Sequence, residues 1–316
     1  MFFLGLKMKS KNRKKIFLTV VFILIESFAY SQQDSQFTQY MYNTINVNPA
    51  YAGSRRVMSI FGLHRNQWVG LDGAPITNAF SLHSPIDDTN WALGLSVIND
   101  KIGPSNENAI SVMASYTIKT SENYKLSFGV DGAINQLNID YNKLRTYDTS
   151  DALLLKQVDN KFSPNIGAGL YFHSDKNYIG ISIPNLLETK HYNDIKKAVA
   201  NERVHFYFIT GYVFDLSSSV KLKPALLSKI VVGSPLQIDL SANFLFNEKF
   251  TLGAAYRLSN TWSAMAGFQM SKSWFAGYAY DLERTKLASY NSGSHEIFLR
   301  YELFKEYTKY KSPRFF

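Results

Sequence analysis

The run LQIDLSANFLF at 236–246 sets Leu236, Ile238, Leu240, Ala242, Phe244 and Phe246 on alternate positions, with Gln237, Asp239, Ser241 and Asn243 between them. A period of two makes this an extended strand with one apolar and one polar face. The pattern recurs in both directions. Phe250, Leu252, Ala254, Tyr256 and Leu258 alternate with Thr251, Gly253 and Arg257. Trp262, Ala264, Ala266, Phe268 and Met270 do so with Ser263, Gly267 and Gln269. Ile297, Leu299, Tyr301 and Leu303 stand opposite Glu296, Arg300 and Glu302, and Ile110, Val112, Ala114, Tyr116 and Ile118 opposite Ser111, Ser115, Thr117 and Lys119.

Alternation of this kind suits a soluble antiparallel sheet as well as a membrane barrel. Three features favour the barrel. The polar faces are rich in Gly, Ser, Asn and charges, which fits a wet or plugged lumen. The segments are about ten residues long, as a tilted spanning strand requires. Strands cross lipid only in a closed barrel, because an open edge leaves peptide groups unpaired. The expected fold is all-β, a transmembrane outer-membrane β-barrel of about fourteen antiparallel strands, an even count as in bacterial single-chain barrels. The strands are expected near 56–69, 77–85, 91–98, 108–119, 124–139, 163–174, 177–184, 203–214, 220–231, 235–246, 249–258, 261–271, 273–282 and 294–304.

Connector lengths give a second signal. Alternate connectors, such as Asp87-Asp88-Thr89-Asn90 and Ser121-Glu122-Asn123, are short and polar, while 99–107, 140–162, 184–202 and 283–295 are long. Long loops on one side only are typical of outer-membrane barrels. Trp68, Trp91, Trp262 and Trp274 fall near strand ends, where interfacial girdles belong. Leu153-Leu154-Leu155 within a loop is unusual and reads as a loop folded over the barrel mouth, as a loop packed on itself, or as a partner contact.

Residues 1–31 read as a secretory signal peptide: Lys7, Lys9, Lys11, Arg13, Lys14 and Lys15, then an apolar run from Ile16 to Ile25, then Ala29-Tyr30-Ser31. That apolar run is about half the ~20 residues of a spanning helix. Removing six of the 34 Lys and Arg and one of the 25 acids leaves 28 against 24. Most of the basic excess thus leaves with the signal, and no basic-aromatic cluster supports nucleic-acid binding. There is no cysteine, which excludes disulfides, thiolate metal sites and a lipid-anchored N-terminal cysteine. Twenty Tyr and 23 Phe suit aromatic girdles.

The stretch QFTQYMYNTINVNPAYAGS at 36–54 breaks the alternation. Tyr40, Met41, Tyr42, Ile45 and Val47 are too apolar for a free tail, and Asn48-Pro49 and Ala52-Gly53-Ser54 impose two breaks. It reads either as a plug in the lumen or as an ordered lead-in to the first strand. The expected organisation is therefore 1–31 signal peptide, 32–54 plug or lead-in, and 55–316 barrel, with Asn48, Pro49, Ala50, Tyr51, Ala52 and Gly53 as the structural motif. The six histidines are scattered without metal-ligand spacing, and neither a nucleophile elbow nor a phosphate loop is present. His173 and His205, with Ser182 and Asp239 as conceivable catalytic company, read as ordinary polar groups of the lumen, and no cofactor is expected.

This 36–54 run, together with His295-Glu296-Ile297 and the terminal Ser312-Pro313-Arg314-Phe315-Phe316, resembles the PorP/SprF family, outer-membrane proteins of the type IX secretion system of Bacteroidota. The resemblance spans about 32–316. It implies a protein that does no chemistry and supports secretion and surface attachment of an adhesin with a type B C-terminal domain, in some members for gliding motility. It also implies type IX secretion components as partners, among them a periplasmic peptidoglycan-associated protein. The NPAYAG core is similar to a turn in FadL-type channels, so the alternative reading is a FadL-like channel for small hydrophobic compounds. Phe316 reads as an assembly signal, a strand extension or a family-specific contact.

Overall fold

The computed structural model describes residues 37–143, 158–187, 204–231 and 234–304. Their strands are β1 (Met58–Asn66), β2 (Ile76–Pro85), β3 (Trp91–Ile102), β4 (Ser105–Lys119), β5 (Lys125–Ile139), β6 (Val158–His173), β7 (Asn177–Ile183), β8 (His205–Tyr212), β9 (Phe214–Asp215), β10 (Val220–Val231), β11 (Gln237–Phe246), β12 (Phe250–Arg257), β13 (Thr261–Gln269), β14 (Trp274–Glu283) and β15 (Ser294–Leu303). Consecutive strands pair antiparallel, with β8 and β9 both paired to β10, and β15 pairs with β1 from Met58↔Leu303 to Asn66↔His295, closing the sheet. β8 and β9 are one strand interrupted at Val213, since both pair with β10 in the same register, Gly211↔Ala225 and Phe214↔Leu222. Pro224 lies opposite the break and has no amide hydrogen to donate. The barrel therefore has 14 staves. No helix among the described residues is long and apolar enough to cross a membrane.

Alternation sorts the side chains between two environments. Phe80, Ile110, Val112, Ile134, Ile166, Phe208, Leu252 and Phe268 face outward and are exposed, forming the lipid-facing belt. At its margins aromatic pairs bridge neighbouring strands: Trp91 with Tyr116 at 5.0 Å and Trp274 with Tyr301 at 4.7 Å by the short turns, and Tyr256 with Trp262 at 4.6 Å on the opposite rim. Amphipathic rings of this kind sit at the membrane–water boundary. Trp68 departs from the expected girdle. It lies in the β1–β2 connection, and its indole donates to Glu283 Oε1 at 2.7 Å, tying that loop to the end of β14.

The segment 99–107, expected to be a long loop, continues the hairpin instead. Asn99 pairs with Asn108 and Ile102 with Ser105, leaving Gly103-Pro104 as the turn. Cross-strand amide bonds, from Asn99 Nδ2 to Asn106 and Asn108 Oδ1 at 2.8 Å, carry the ladder past the apolar belt, which periodicity of hydrophobicity does not detect.

Candidate functional site

Between Phe37 and β1 the chain follows three short 3₁₀ turns, Tyr40–Tyr42, Thr44–Asn46 and Pro49–Tyr51. Two residues fix the last of them. Asn48 precedes Pro49 in an extended conformation, as a residue before proline must, and its Oδ1 accepts from Ala50 N at 3.0 Å. Gly53 has φ +74°, and a Cβ there would overlap Ala92 Cβ. Phe37, Tyr40, Met41, Tyr42, Ile45, Val47, Ala50, Tyr51 and Ala52 are buried against inward-facing Phe61, Leu63, Met113, Tyr171, Ile209, Phe275 and Phe298. The segment thus contacts walls on several sides of the lumen.

Polar side chains of the wall hold its backbone. Glu296 of β15 accepts from Thr38 N at 3.0 Å through Oε2 and from Gln39 N at 2.9 Å through Oε1. The Thr38 hydroxyl donates to Asp281 Oδ2 of β14 at 2.6 Å. Arg65 of β1 donates to Asp281 Oδ2 at 2.7 Å, to Glu296 Oε2 at 3.0 Å and to Thr38 Oγ1 at 3.0 Å. All four side chains are buried, so these charge-assisted bonds are not screened by solvent. Further along, Ser81 donates to Asn43 Oδ1 at 2.9 Å, Ser96 to Asn46 Oδ1 at 2.8 Å, Ser182 to Val47 O at 2.7 Å and Ser115 to Ala52 O at 2.7 Å. The Asn48 amide donates to Leu170 O at 2.9 Å. Where the chain reaches β1, Arg55 Nε donates to Glu302, whose Oε1 also lies 3.6 Å from Arg300 Nε. Burial opposes the charge on Arg55, and Glu302 outweighs it, raising the guanidinium above its ordinary pKa.

Inward glycines make room for this chain. A Cβ on Gly129 would overlap the Pro49–Ala50 backbone, and one on Gly169 the Asn48 amide; on Gly180 it would stand 2.9 Å from Asn48 Nδ2. β5, β6 and β7 therefore present a groove of backbone into which Asn48-Pro49-Ala50 fits. Tyr51 sits beside it, edge-on to His83 and Tyr171 at 5.6 and 5.5 Å.

The family model described as type IX secretion system membrane protein PorP/SprF matches residues 29–301. The chain belongs to the PorP/SprF family. As a PorP/SprF protein it is a membrane component of type IX secretion, and its closed barrel places it in the outer membrane. No curated protein matches it. Among solved structures it is similar to the CymD monoaromatic hydrocarbon channel (12% identity, 87% of this chain and 95% of that one, TM-score 0.47). It is also similar to a Pseudomonas aeruginosa FadL homologue (11%, 78% and 89%, 0.43) and to the KdgM porin (9%, 78% and 99%, 0.37).

In this PorP/SprF chain the six motif residues of 48–53 come together on the groove of β5–β7 and on β2, through a Gly53 N–H donated to His83 Nδ1 at 3.2 Å. The Asn48 side chain ties its own turn through Oδ1 and donates to the wall carbonyls of Leu170 and Ile181 at 2.9 and 3.4 Å. Leu153, Leu154, Leu155 and Phe316 lie outside the described residues. Of the conceivable catalytic company, Ser182 donates to Val47 O at 2.7 Å and Asp239 is held by Arg257 at 2.8 and 2.9 Å. Sequence reasoning put Glu296, Arg300 and Glu302 on the inner face of the last strand but missed the partners Thr38, Arg65, Asp281 and Arg55. The available signal was charge at inward positions of strands, which demands buried counter-charges.

Proposed function

We propose that the protein supports secretion and surface attachment of an adhesin-type partner with a type B C-terminal domain, and serves gliding motility where that partner is a motility adhesin. In this reading 37–57 acts as a plug that stays docked, with Asn48 to Gly53 as its anchor, and the barrel is a rigid holder, not a conduit. The observation supporting it is the convergence of Thr38, Gln39 and Arg65 on the buried carboxylates of Asp281 and Glu296. A passage through the lumen would have to break those bonds, and each 1.4 kcal/mol of opening lowers the open population about tenfold. Partner contacts then belong to the outer loops, Leu153-Leu154-Leu155 among them, with a periplasmic peptidoglycan-associated protein on the opposite side and Phe316 serving assembly.

The test is a deletion strain assayed for surface display of a reporter fused to a type B C-terminal domain, read by protease shaving of intact cells. Display is lost on deletion and restored by the wild-type gene. Unchanged display with loss of uptake of a small hydrophobic compound would overturn the proposal in favour of a FadL-like channel.

A further inference from the structure

On the outside of the barrel, a row of uncharged polar side chains crosses five adjacent strands. Cα pairing sets His64, Asn78, Asn99, Asn108 and Gln136 opposite one another on β1 to β5. They occupy the same alternation as Phe80, Ile110 and Ile134, so they face outward. Their side chains are linked head to tail: His64 Nδ1 to Asn78 Oδ1 at 2.8 Å, Asn78 Nδ2 to Asn99 Oδ1 at 3.4 Å, Asn99 Nδ2 to Asn108 Oδ1 at 2.8 Å and Asn108 Nδ2 to Gln136 Oε1 at 3.4 Å. Gln136 Nε2 continues the chain to Asn160 Oδ1 of β6 at 2.7 Å.

Two facts locate this row. The next row toward the short turns is Gly62, Phe80, Val97, Ile110 and Ile134, and the amide row itself is flanked by exposed Phe162 on β6 and Ile297 on β15, so the amides border the lipid-facing belt. β4, β5 and β6 have 15, 15 and 16 residues, beyond the ~9–11 that span the hydrocarbon, so their outer ends project past it. Asn is depleted in strands, so a row of it on a lipid-bordering face is unusual.

We propose that this row binds the saccharide headgroup of the outer-leaflet glycolipid, lipopolysaccharide, whose acyl chains lie on the belt below. A side-chain amide offers two N–H donors and two acceptor lone pairs. Asn99 spends both donors, on Asn108 Oδ1 and Asn106 Oδ1 at 2.8 Å, and keeps acceptor capacity, while Asn78, Asn108 and Gln136 each use one donor in the row. A sugar hydroxyl, both donor and acceptor, matches that set, and a polarised chain of amides strengthens each further bond. The row contains no Lys or Arg, and the first base on that face, Lys101, comes one rung farther out beside Asn106, which selects hydroxyls over phosphate. Continuity with the lipid interface selects a glycolipid over a soluble partner.

The experiment uses the full chain in nanodiscs of phospholipid alone or phospholipid with lipopolysaccharide, and counts glycolipid retained through a detergent wash by native mass spectrometry. Wild type retains lipopolysaccharide in preference to the phospholipid of the same disc, whose headgroup carries no sugar. The Asn99→Val/Asn108→Val variant, whose β-branched residues suit strands, retains less by about tenfold, a loss of ~1.4 kcal/mol. Should that pair fail to fold, Gln136→Leu alone is tested in the same wash. Equal retention by wild type and variant, phospholipid retained as well as lipopolysaccharide, or no retention by wild type overturns the proposal.

Discussion

Replacing Glu296 with Ala removes the acceptor for two buried backbone N–H groups, Thr38 N at 3.0 Å and Gln39 N at 2.9 Å, and one of the two carboxylates on Arg65. Each orphaned buried donor costs about 1–3 kcal/mol. Arg65 keeps Asp281 at 2.7 Å, so no guanidinium is stranded without a partner. The combined loss is about 3–4 kcal/mol once water fills part of the gap, which raises the population of undocked segment by about 10²–10³-fold. It falls on docking of 37–57, not on the barrel, whose ladder hydrogen bonds stay intact. Because the chain has no cysteine, Gln39→Cys gives a single reporter thiol at a buried position. Its labelling by a small thiol reagent in detergent should rise about 10²–10³-fold when Glu296→Ala is added, with heat-modifiable gel mobility unchanged, and less for Glu296→Gln, which keeps an acceptor oxygen. Unchanged labelling in a folded barrel would refute the clamp. Failure of both variants to form a barrel would show that the segment is needed for assembly.

Asn48→Leu removes the donor to Leu170 O and the acceptor for Ala50 N, and Gly53→Val forces a β-branched residue to φ +74° against Ala92; both should leave a folded, heat-modifiable barrel with impaired partner display. Gly169→Val should have the same effect from the wall side, because its side chain overlaps the Asn48 amide, with a comparable rise in labelling at Gln39→Cys. Cysteines at Asp72 and Tyr290 should react with an impermeant reagent on intact cells, and those at Ser121 and Asp175 should not; the reverse would invert the barrel. Burial pushes the Tyr42 phenol up to about 12 from 10.0, so the contribution of its neutral form is complete below pH 10 and lost as pH rises through about 12. Proteolysis of the segment should therefore rise across that window, and the Tyr42→Phe variant should lack that step.

The alternation from LQIDLSANFLF outward, read with segment length, polar inner faces and connector lengths, pointed to a closed barrel of about fourteen staves with most of them within a few residues of their place, because lipid on one side and protein on the other impose a period of two on every strand. It also marked 36–54 as the stretch that breaks the pattern, and Asn48-Pro49 and Gly53 as its turns, since those residues carry their backbone preference locally. The extension of β3 and β4 through 99–107 was not legible, because polar cross-strand pairs carry no hydrophobic period. What only the tertiary structure decided is which inward charges meet: Glu296 and Asp281 reach Thr38 and Arg65 across separations of more than 200 residues, set by barrel closure at β1–β15. Likewise Gly129, Gly169 and Gly180 read as weak strand positions in sequence and form a groove only when β5, β6 and β7 stand side by side. Strand alternation is a property of neighbours in the chain, and pairing across a lumen depends on which walls face each other after the barrel has closed.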